Sequence, residues 1–376
     1  MTPKIEDFLK NEKPATPFLV VDLDVVEANY VGLRDALPVA QIFYAVKANP
    51  AEPILQRLIA LGSCFDTASI HEIDSCLAAG ALPENISYGN TIKKARDIAR
   101  AYDRGVRLFA FDSEAELLKL AEHAPGSRVF CRLLISNQGA DWPLSRKFGC
   151  ETDMAKDLMV KARDLGLEPY GISFHIGSQQ TDLSQWDIAI GKTAMVFTGL
   201  REAGINLKMV NLGGGFPAQY RTAIPTIDDY AHAIMAAMTN HFGNDLPHII
   251  VEPGRSIPGD AGLIDSEVVL ISTKSYEDET RWVYLDIGLF GGLAETMGEA
   301  IKYRIRTPHD GKPDGLVAIA GPTCDGADIM YEKCGYRLPK ALEVGDHIQL
   351  LSTGAYTTSY SAVNFNGFPP LRAYYI

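Results

Sequence analysis

No apolar run in the sequence approaches the roughly 18 residues that a membrane-spanning helix needs, so no span is expected. There is no CxxC pair, and the six cysteines (Cys64, Cys76, Cys131, Cys150, Cys324, Cys334) are scattered without a short-spaced framework. That pattern fits reduced thiols in a cytoplasm. The eight histidines form no H-x-x-H, H-E-x-x-H or Cys/His cluster, and no metal site is expected. Positive charge is in deficit. Lys+Arg 35 against Asp+Glu 47 gives a formal net charge of −12, which disfavours nucleic acid and anionic membranes as partners and favours small cations near the surface. The opening MTPKIEDFLKNEKPATPF lacks an apolar signal-peptide core, so a cytoplasmic protein is expected. No low-complexity tract or fixed-length repeat is present, which argues against a solenoid. What remains is a 376-residue chain of ordinary globular composition, long enough for a barrel-sized domain and a smaller one.

Short apolar runs recur, each followed by a polar turn and a helical pattern: IFYAV (42–46), CFD (64–66), ISYG (86–89), LFAFD (108–112), VFCRLLI (129–135), GISFHI (171–176), MVNL (209–212) and IIVE (249–252). Strands apolar on both faces, alternating with amphipathic helices, are expected of parallel sheets covered by helices. Eight such units match a (β/α)8 barrel, with an open doubly wound sheet as the competitor. After Gly259 the pattern changes. EVVLIST, RWVYLD, GLVAIAG, HIQLLST and RAYYI read as strands, LAETMGEAIKY (293–303) reads as a helix, and FLVVDLD near the N-terminus reads as an added strand. The expected division is a barrel over 24–258, with 1–23 and 259–376 forming a mostly β domain.

Barrel enzymes place their chemistry at the C-terminal ends of strands. Lys47 stands at the end of the first apolar run, Asp66 at the second, Arg132 within the fifth and His175 near the end of the sixth. Gly213, Gly214 and Gly215 follow the seventh, and Glu252-Pro253-Gly254-Arg255 ends the eighth. A lysine just past a strand is ordinarily a surface residue, but a lysine with a lowered pKa can form a Schiff base. A glycine run is ordinarily a tight turn, but barrels commonly bind phosphate in the loops after strands seven and eight. Bare N–H groups of glycines approach phosphate closely, Arg255 adds charge, and Ser178 adds a hydroxyl. An imine-forming lysine plus a phosphate cradle points to pyridoxal phosphate, with Schiff-base aldolases still open. Glu252 favours the cofactor reading, because a carboxylate there can keep a pyridine nitrogen protonated and the ring an electron sink. His175 alone would be a satisfied core histidine. Cys324 and Asp325 share a Gly/Pro-framed loop, GPTCDGAD (321–328), and GAYTTSYSAVNFNGF (354–368) reads as a loop closing over a ligand.

The motifs YAVKANP, SFHIGSQ, LGGGFP, EPGR, GPTCDGAD and GAYTTSYSAVNFNGF, in this order, resemble the fold-type III pyridoxal phosphate decarboxylases, a family that includes ornithine, lysine, diaminopimelate and arginine decarboxylases. The likeness spans residues 17 to 376 and is strongest to the bacterial ornithine decarboxylases, some of which accept lysine. It implies an alanine-racemase-like barrel with a C-terminal β domain, in a head-to-tail homodimer with shared active sites. By this resemblance Lys47 carries the cofactor, His175 stacks on its ring and Glu252 holds the ring nitrogen. Ser178, Gly213 to Gly215, Gly254, Arg255 and Tyr356 bind the phosphate region, with Asp66 and Arg132 in support. Cys324 is the proton donor and Asp325 the distal-ammonium ligand, both delivered from the partner subunit, while Phe365 and Asn366 line the site.

The implied reaction is decarboxylation of L-ornithine to putrescine, with L-lysine to cadaverine as a further or main activity. One position departs from the animal ornithine enzymes: where they have Tyr-Asp, this chain has Gly298-Glu299. Glu299 is the expected distal-amine residue, with Glu295 a weaker candidate on the same helical face. One CH2 separates ornithine from lysine, worth only about 1–3 kcal/mol of discrimination. An acidic pair disfavours diaminopimelate, whose far end is a carboxylate, and arginine decarboxylases of this fold are expected to be longer. The competing readings are a catalytically inactive homologue that binds a regulatory protein, and an amino-acid racemase.

Overall fold

The structure, a computed structural model, describes residues 1–135, 140–142 and 147–376. They divide into two compact units, one of residues 27–217 and 224–254, the other of residues 1–26, 218–223 and 255–376. Among the described residues, no helix is long and apolar enough to cross a membrane.

In the first unit eight strands close into a parallel barrel: Ala40–Ala45, Cys64–Thr67, Ile86–Tyr88, Leu108–Phe111, Arg128–Arg132, Glu168–Ser173, Met209–Asn211 and His248–Val251. The last strand pairs with the first, Ile249 opposite Ala40, which excludes the open sheet. Each apolar run is thus a barrel strand, with ends shifted by a few residues. VFCRLLI stops short as a strand at Arg132 because a returning segment takes over its hydrogen bonds. Cys150 N–H donates to Arg132 O (3.0 Å) and Leu134 N–H to Cys150 O (2.9 Å).

The barrel interior is filled by Phe43, Cys64, Leu108, Ala110, Phe130, Met209 and Ile250 from six of the strands. Burying a large apolar side chain of this kind contributes roughly 1.5–3 kcal/mol. Gly171, on the sixth strand, leaves room for its neighbour, since a Cβ there would stand 2.3 Å from Met209 O. The outer helices follow from spacing and caps. In Ile227–Phe242, Thr226 and Asp229 form a capping box, Tyr230, Ile234, Ala237 and Met238 recur on the buried face, and Gly243 (φ 66°) terminates it. Such a cap is worth about 1 kcal/mol.

The second unit is a curled, mostly antiparallel sheet. Its strands run in the order Arg304–Arg306, His347–Leu351, Gly262–Ser272, Arg281–Leu285, Asp314–Ala320 and Ile329–Tyr331. Phe18–Val21 adds to Gly262–Ser272 antiparallel and to Arg372–Tyr375 parallel.

The helix expected over 293–303 does not form. A 3-10 stretch, Ala294–Glu299, is interrupted where Met297 turns extended (ψ 128°) and Gly298 adopts φ 62°. Gly298 takes this left-handed conformation without a Cβ penalty, and Glu299 follows at φ 57°. Glu295 and Glu299 therefore do not share a helical face.

Candidate active site

In the barrel unit the expected residues gather where the strands end. Lys47 lies in a single 3-10 turn, Val46–Ala48, immediately after the first strand. Its Nζ stands 4.0 Å from Asp66 Oδ2 at the end of the second strand. Asp66 is buried, and Gly89 must be glycine beside it, since a Cβ would fall 1.9 Å from Asp66 Oδ1. Burial pushes the Asp66 carboxyl up, while the charges of Lys47 and Arg132 and a bond from Ser87 resist. Arg132, closing the fifth strand, lies over the Phe148 ring at 5.1 Å and is balanced by the charges of Glu252, Asp112 and Asp66.

His175 follows the sixth strand. Its Nδ1 accepts the Gly177 N–H at 2.9 Å. Burial drives its pKa well below the usual histidine value, and the charges of Arg132 and Lys47 add to this. The ring is therefore neutral, and an accepting Nδ1 leaves its proton on Nε2. Ser178 opens the short strand Ser178–Gln180 two residues beyond Ile176.

The glycine run sits between His175 and Glu252. A Cβ on Gly214 would come 2.8 Å from Glu252 O and 3.5 Å from His175 Nε2, and one on Gly213 would come 2.2 Å from Phe174 O. Gly213 (φ 66°) and Gly215 (φ 118°) hold backbone conformations that side chains rarely adopt. Glu252, just past the eighth strand, is pushed up to about 7 by burial and then by Asp66, against Asn211, Lys47 and Arg132. Gly254 is buried after Pro253, whose carbonyl accepts Ala45 N–H at 3.0 Å.

The remaining expected residues belong to the second unit. Arg255 is buried and forks onto Glu295, Nη1 to Oε2 at 2.5 Å and Nη2 to Oε1 at 2.6 Å. Nη1 also donates to the Tyr220 hydroxyl (2.8 Å), and the Tyr356 ring lies 4.9 Å from the guanidinium carbon. Glu295 is thus the carboxylate of a buried ion pair, which corrects its reading as a distal-amine candidate.

Glu299 is half-buried, and its Oε1 accepts the N–H groups of Glu332 (2.7 Å) and Lys333 (2.5 Å). Burial would raise its pKa, but these bonds outweigh it and hold the carboxyl down. Cys324 is exposed, and its N–H donates to Asn366 Oδ1 at 2.8 Å. Asp325, also exposed, accepts Ala327 N–H at 2.8 Å. Phe365 packs on Phe290 with ring centroids 4.8 Å apart.

Two residues that hold this machinery were not singled out from the sequence. Asn211 bonds Glu252 from the seventh strand. Asp328 accepts Leu289 N–H (2.7 Å), Thr323 N–H (3.1 Å) and the Thr323 hydroxyl (2.7 Å) from within the Cys324 loop. The available signal was position: Asn211 directly precedes LGGGFP, and Asp328 ends GPTCDGAD.

A closed barrel with an amine, a buried and a partly buried carboxylate, a neutral imidazole and a glycine loop at its strand ends has the donor set of an imine-forming, phosphate-binding site. Residues 23–259 match the pyridoxal-binding domain of the pyridoxal-dependent decarboxylases. The chain belongs to this family, and its cofactor is pyridoxal 5'-phosphate. It is 36% identical to a lysine/ornithine decarboxylase of Selenomonas ruminantium, over 94% of this chain and 88% of that protein. It is 32% identical to the ornithine decarboxylase of Rattus norvegicus, over 96% and 80%. A solved arginine decarboxylase of Paramecium bursaria Chlorella virus, bound to agmatine, superposes with a TM-score of 0.91 at 27% identity over 100% of both chains. These likenesses support decarboxylation of a basic amino acid. The viral match also corrects the expectation from length, since an arginine decarboxylase of this fold can be as compact as this chain.

Proposed function

We propose that the chain decarboxylates L-ornithine to putrescine and carbon dioxide, with L-lysine to cadaverine as a second activity of the same site. The observation that carries this is the grouping of Lys47, Asp66, His175, Glu252 and the glycine loop at the barrel's strand ends. The chain that presents it is most alike, among the relatives described above, to a lysine/ornithine decarboxylase. When bound, pyridoxal 5'-phosphate supplies an aldehyde that holds amines covalently and a protonated ring that accepts electrons.

Lys47 would hold that aldehyde through its amine. Asp66, near its Nζ, keeps a counter-charge at hand. Glu252 would hold the ring nitrogen as a carboxylate, the opposite charge offsetting the burial that raises it. His175, neutral, would pack against the ring without competing for that proton. Ser178, Gly213 to Gly215, Gly254, Arg255 and Tyr356 take the phosphate, and Arg132 supplies positive charge beside the two carboxylates. We assign proton return at the α-carbon to Cys324 of the partner subunit in a homodimer. Asp325 of the partner subunit would bind the distal ammonium, with Glu299, Phe365 and Asn366 lining that end. Acidic groups at the distal end favour a diamine product and disfavour diaminopimelate, whose far carboxylate they would repel.

Two measurements test the reading. Borohydride reduction of the reconstituted protein should add one pyridoxyl phosphate mass at Lys47, and none in Lys47→Ala. Initial rates with ornithine, lysine, arginine and diaminopimelate, taken side by side, should rank the first two highest. Failure to trap the cofactor, or faster turnover of arginine or diaminopimelate, overturns it.

A further inference from the structure

Asn211 is the last residue of the seventh barrel strand, where it lies opposite Ser173 on one side and Ile250 on the other. Its side chain is buried, with 1% of the residue exposed. A primary amide has one acceptor oxygen and two N–H donors, and here both kinds of group are used. Asn211 Oδ1 accepts Gly213 N–H at 2.9 Å, while Nδ2 donates to Glu252 Oε1. The orientation of the amide is forced. A backbone N–H can only donate, so the oxygen must face Gly213 and the nitrogen must face Glu252. Gly213 O in turn accepts Glu252 N–H at 2.8 Å. The first glycine of the loop and the carboxylate are therefore joined twice, once through backbone and once through Asn211.

The two side chains of closest shape each lose a task. An aspartate could still accept from Gly213 but could not donate as a carboxylate. It would also set a further negative charge against Glu252, which Asp66 already opposes. A leucine would leave the Gly213 N–H and one carboxylate oxygen buried without partners, at a cost of about 1–3 kcal/mol each. The groups facing Glu252 are Asp66, Lys47, Arg132 and Asn211, with neutral His175 across the glycine loop. Among these Asn211 makes the direct hydrogen bond to the carboxylate.

We propose that Asn211 is a positioning residue for the cofactor's ring nitrogen: it fixes the Glu252 carboxylate in place and in its charged form, and locks it to the glycine loop. This rests on the assignment of Glu252 to the ring nitrogen made above. The phosphate end and the nitrogen end of the cofactor site are then set as one hydrogen-bonded piece, so an error at one end is felt at the other.

The test compares two ligands on the apoprotein by fluorescence titration, without turnover. One is pyridoxal 5'-phosphate. The other is its 1-deaza analogue, which carries C–H in place of the ring nitrogen. Wild type should bind the natural cofactor more tightly, and Glu252→Gln should erase that preference. Asn211→Asp should reduce the preference about tenfold or more, the scale of a lost charge-assisted hydrogen bond. Asn211→Ala, which adds no charge, should reduce it less. Ser178→Ala should weaken both ligands alike and leave the preference intact. A purely structural role predicts that Asn211→Asp and Asn211→Ala weaken both ligands equally, and that result overturns the proposal. If Asn211→Asp does not fold, Asn211→Ala alone decides. A wild type without preference, or a preference that survives Glu252→Gln, instead overturns the assignment of Glu252.

Discussion

Removing the carboxylate of Glu295 while leaving Arg255 in place is the sharpest stability experiment the molecule offers. The two side chains are 4% and 2% exposed. They meet through two charge-assisted bonds of 2.5 and 2.6 Å. Bidentate geometry of this kind is at the strong end of hydrogen bonding. Truncating one partner of a buried pair costs about 3–5 kcal/mol, because a desolvated charge loses its counter-ion. Glu295→Ala leaves the guanidinium with the Tyr220 hydroxyl, a neutral acceptor that restores only part of the loss, so a cost near 3 kcal/mol or more is expected. Glu295→Gln keeps one acceptor oxygen and should lose less. Replacing both residues, as in Arg255→Met with Glu295→Leu, should recover most of the stability, since a buried pair exchanged for apolar groups is often neutral. The assay is urea unfolding of the apoprotein for wild type, Arg255→Met, Glu295→Leu and the double variant, the four corners of the cycle that gives the coupling energy, with Glu295→Ala and Glu295→Gln measured alongside. A cost below about 1 kcal/mol for Glu295→Ala, typical of exposed pairs, would refute the reasoning by showing that the guanidinium is not desolvated.

The Glu252 carboxyl stands at about 7 in the folded chain against an ordinary 4.5. Its folded value is the higher, so its contribution is complete below about pH 4.5 and is lost as pH rises through about 7. His175, held low by burial, acts with the opposite sign below its ordinary value. The diagnostic quantity is therefore the pH-dependent difference in apoprotein melting between wild type and Glu252→Gln. It should turn against wild type across this window, by up to about 3 kcal/mol, and a flat difference would count against burial of the carboxyl. Gly214→Ala, whose Cβ would stand 2.8 Å from Glu252 O, should weaken cofactor binding about tenfold or more with the fold kept, measured by dialysis; 1.4 kcal/mol of lost contact suffices for that. Cys324→Ala should slow diamine release and raise conversion of the cofactor to its amine form, which product ratios report. Mixing Lys47→Ala chains with Cys324→Ala chains should raise activity above that of either alone, through hybrid dimers, and no gain after proven subunit exchange would show each site to be self-contained.

Much of the barrel was legible because its signals are local. Each strand is a short apolar run, and Lys47, Asp66, His175 and Glu252 are polar groups at or just past the ends of such runs, where the change from apolar to polar is conspicuous. The glycine run was legible only through its place, since glycines that would elsewhere be a tight turn follow the seventh strand of a barrel. Pairings between distant segments were not. Glu295 meets Arg255 across 40 positions, Asn211 meets Glu252 across 41, and Cys324 meets Asn366 across 42. No periodicity encodes such contacts. The spacing of Glu295 and Glu299 was misleading outright, because four residues imply one face only while the backbone stays helical, and Gly298 takes it to φ 62°. Local pattern fixes where a residue sits on its own element, whereas the partner it meets is decided by closure of the tertiary structure.

The loop 321–328 shows how an exposed residue can still be positioned. Cys324 lies at the surface, where a loop would ordinarily hold its side chain loosely. Here Asp328, 3% exposed, receives three hydrogen bonds from Leu289 and Thr323. Gly288 and Gly321 close on it so tightly that a Cβ would fall 2.2 and 2.4 Å from its carboxylate. Asn366 grips the Cys324 N–H from the other side, in a left-handed conformation (φ 52°) that asparagine tolerates better than most residues. The backbone under the thiol is thereby held, and what remains free is rotation of one short side chain. If Cys324 serves a site in a second chain, this arrangement settles the ordering cost at folding rather than at each encounter, which is where preorganisation gains most.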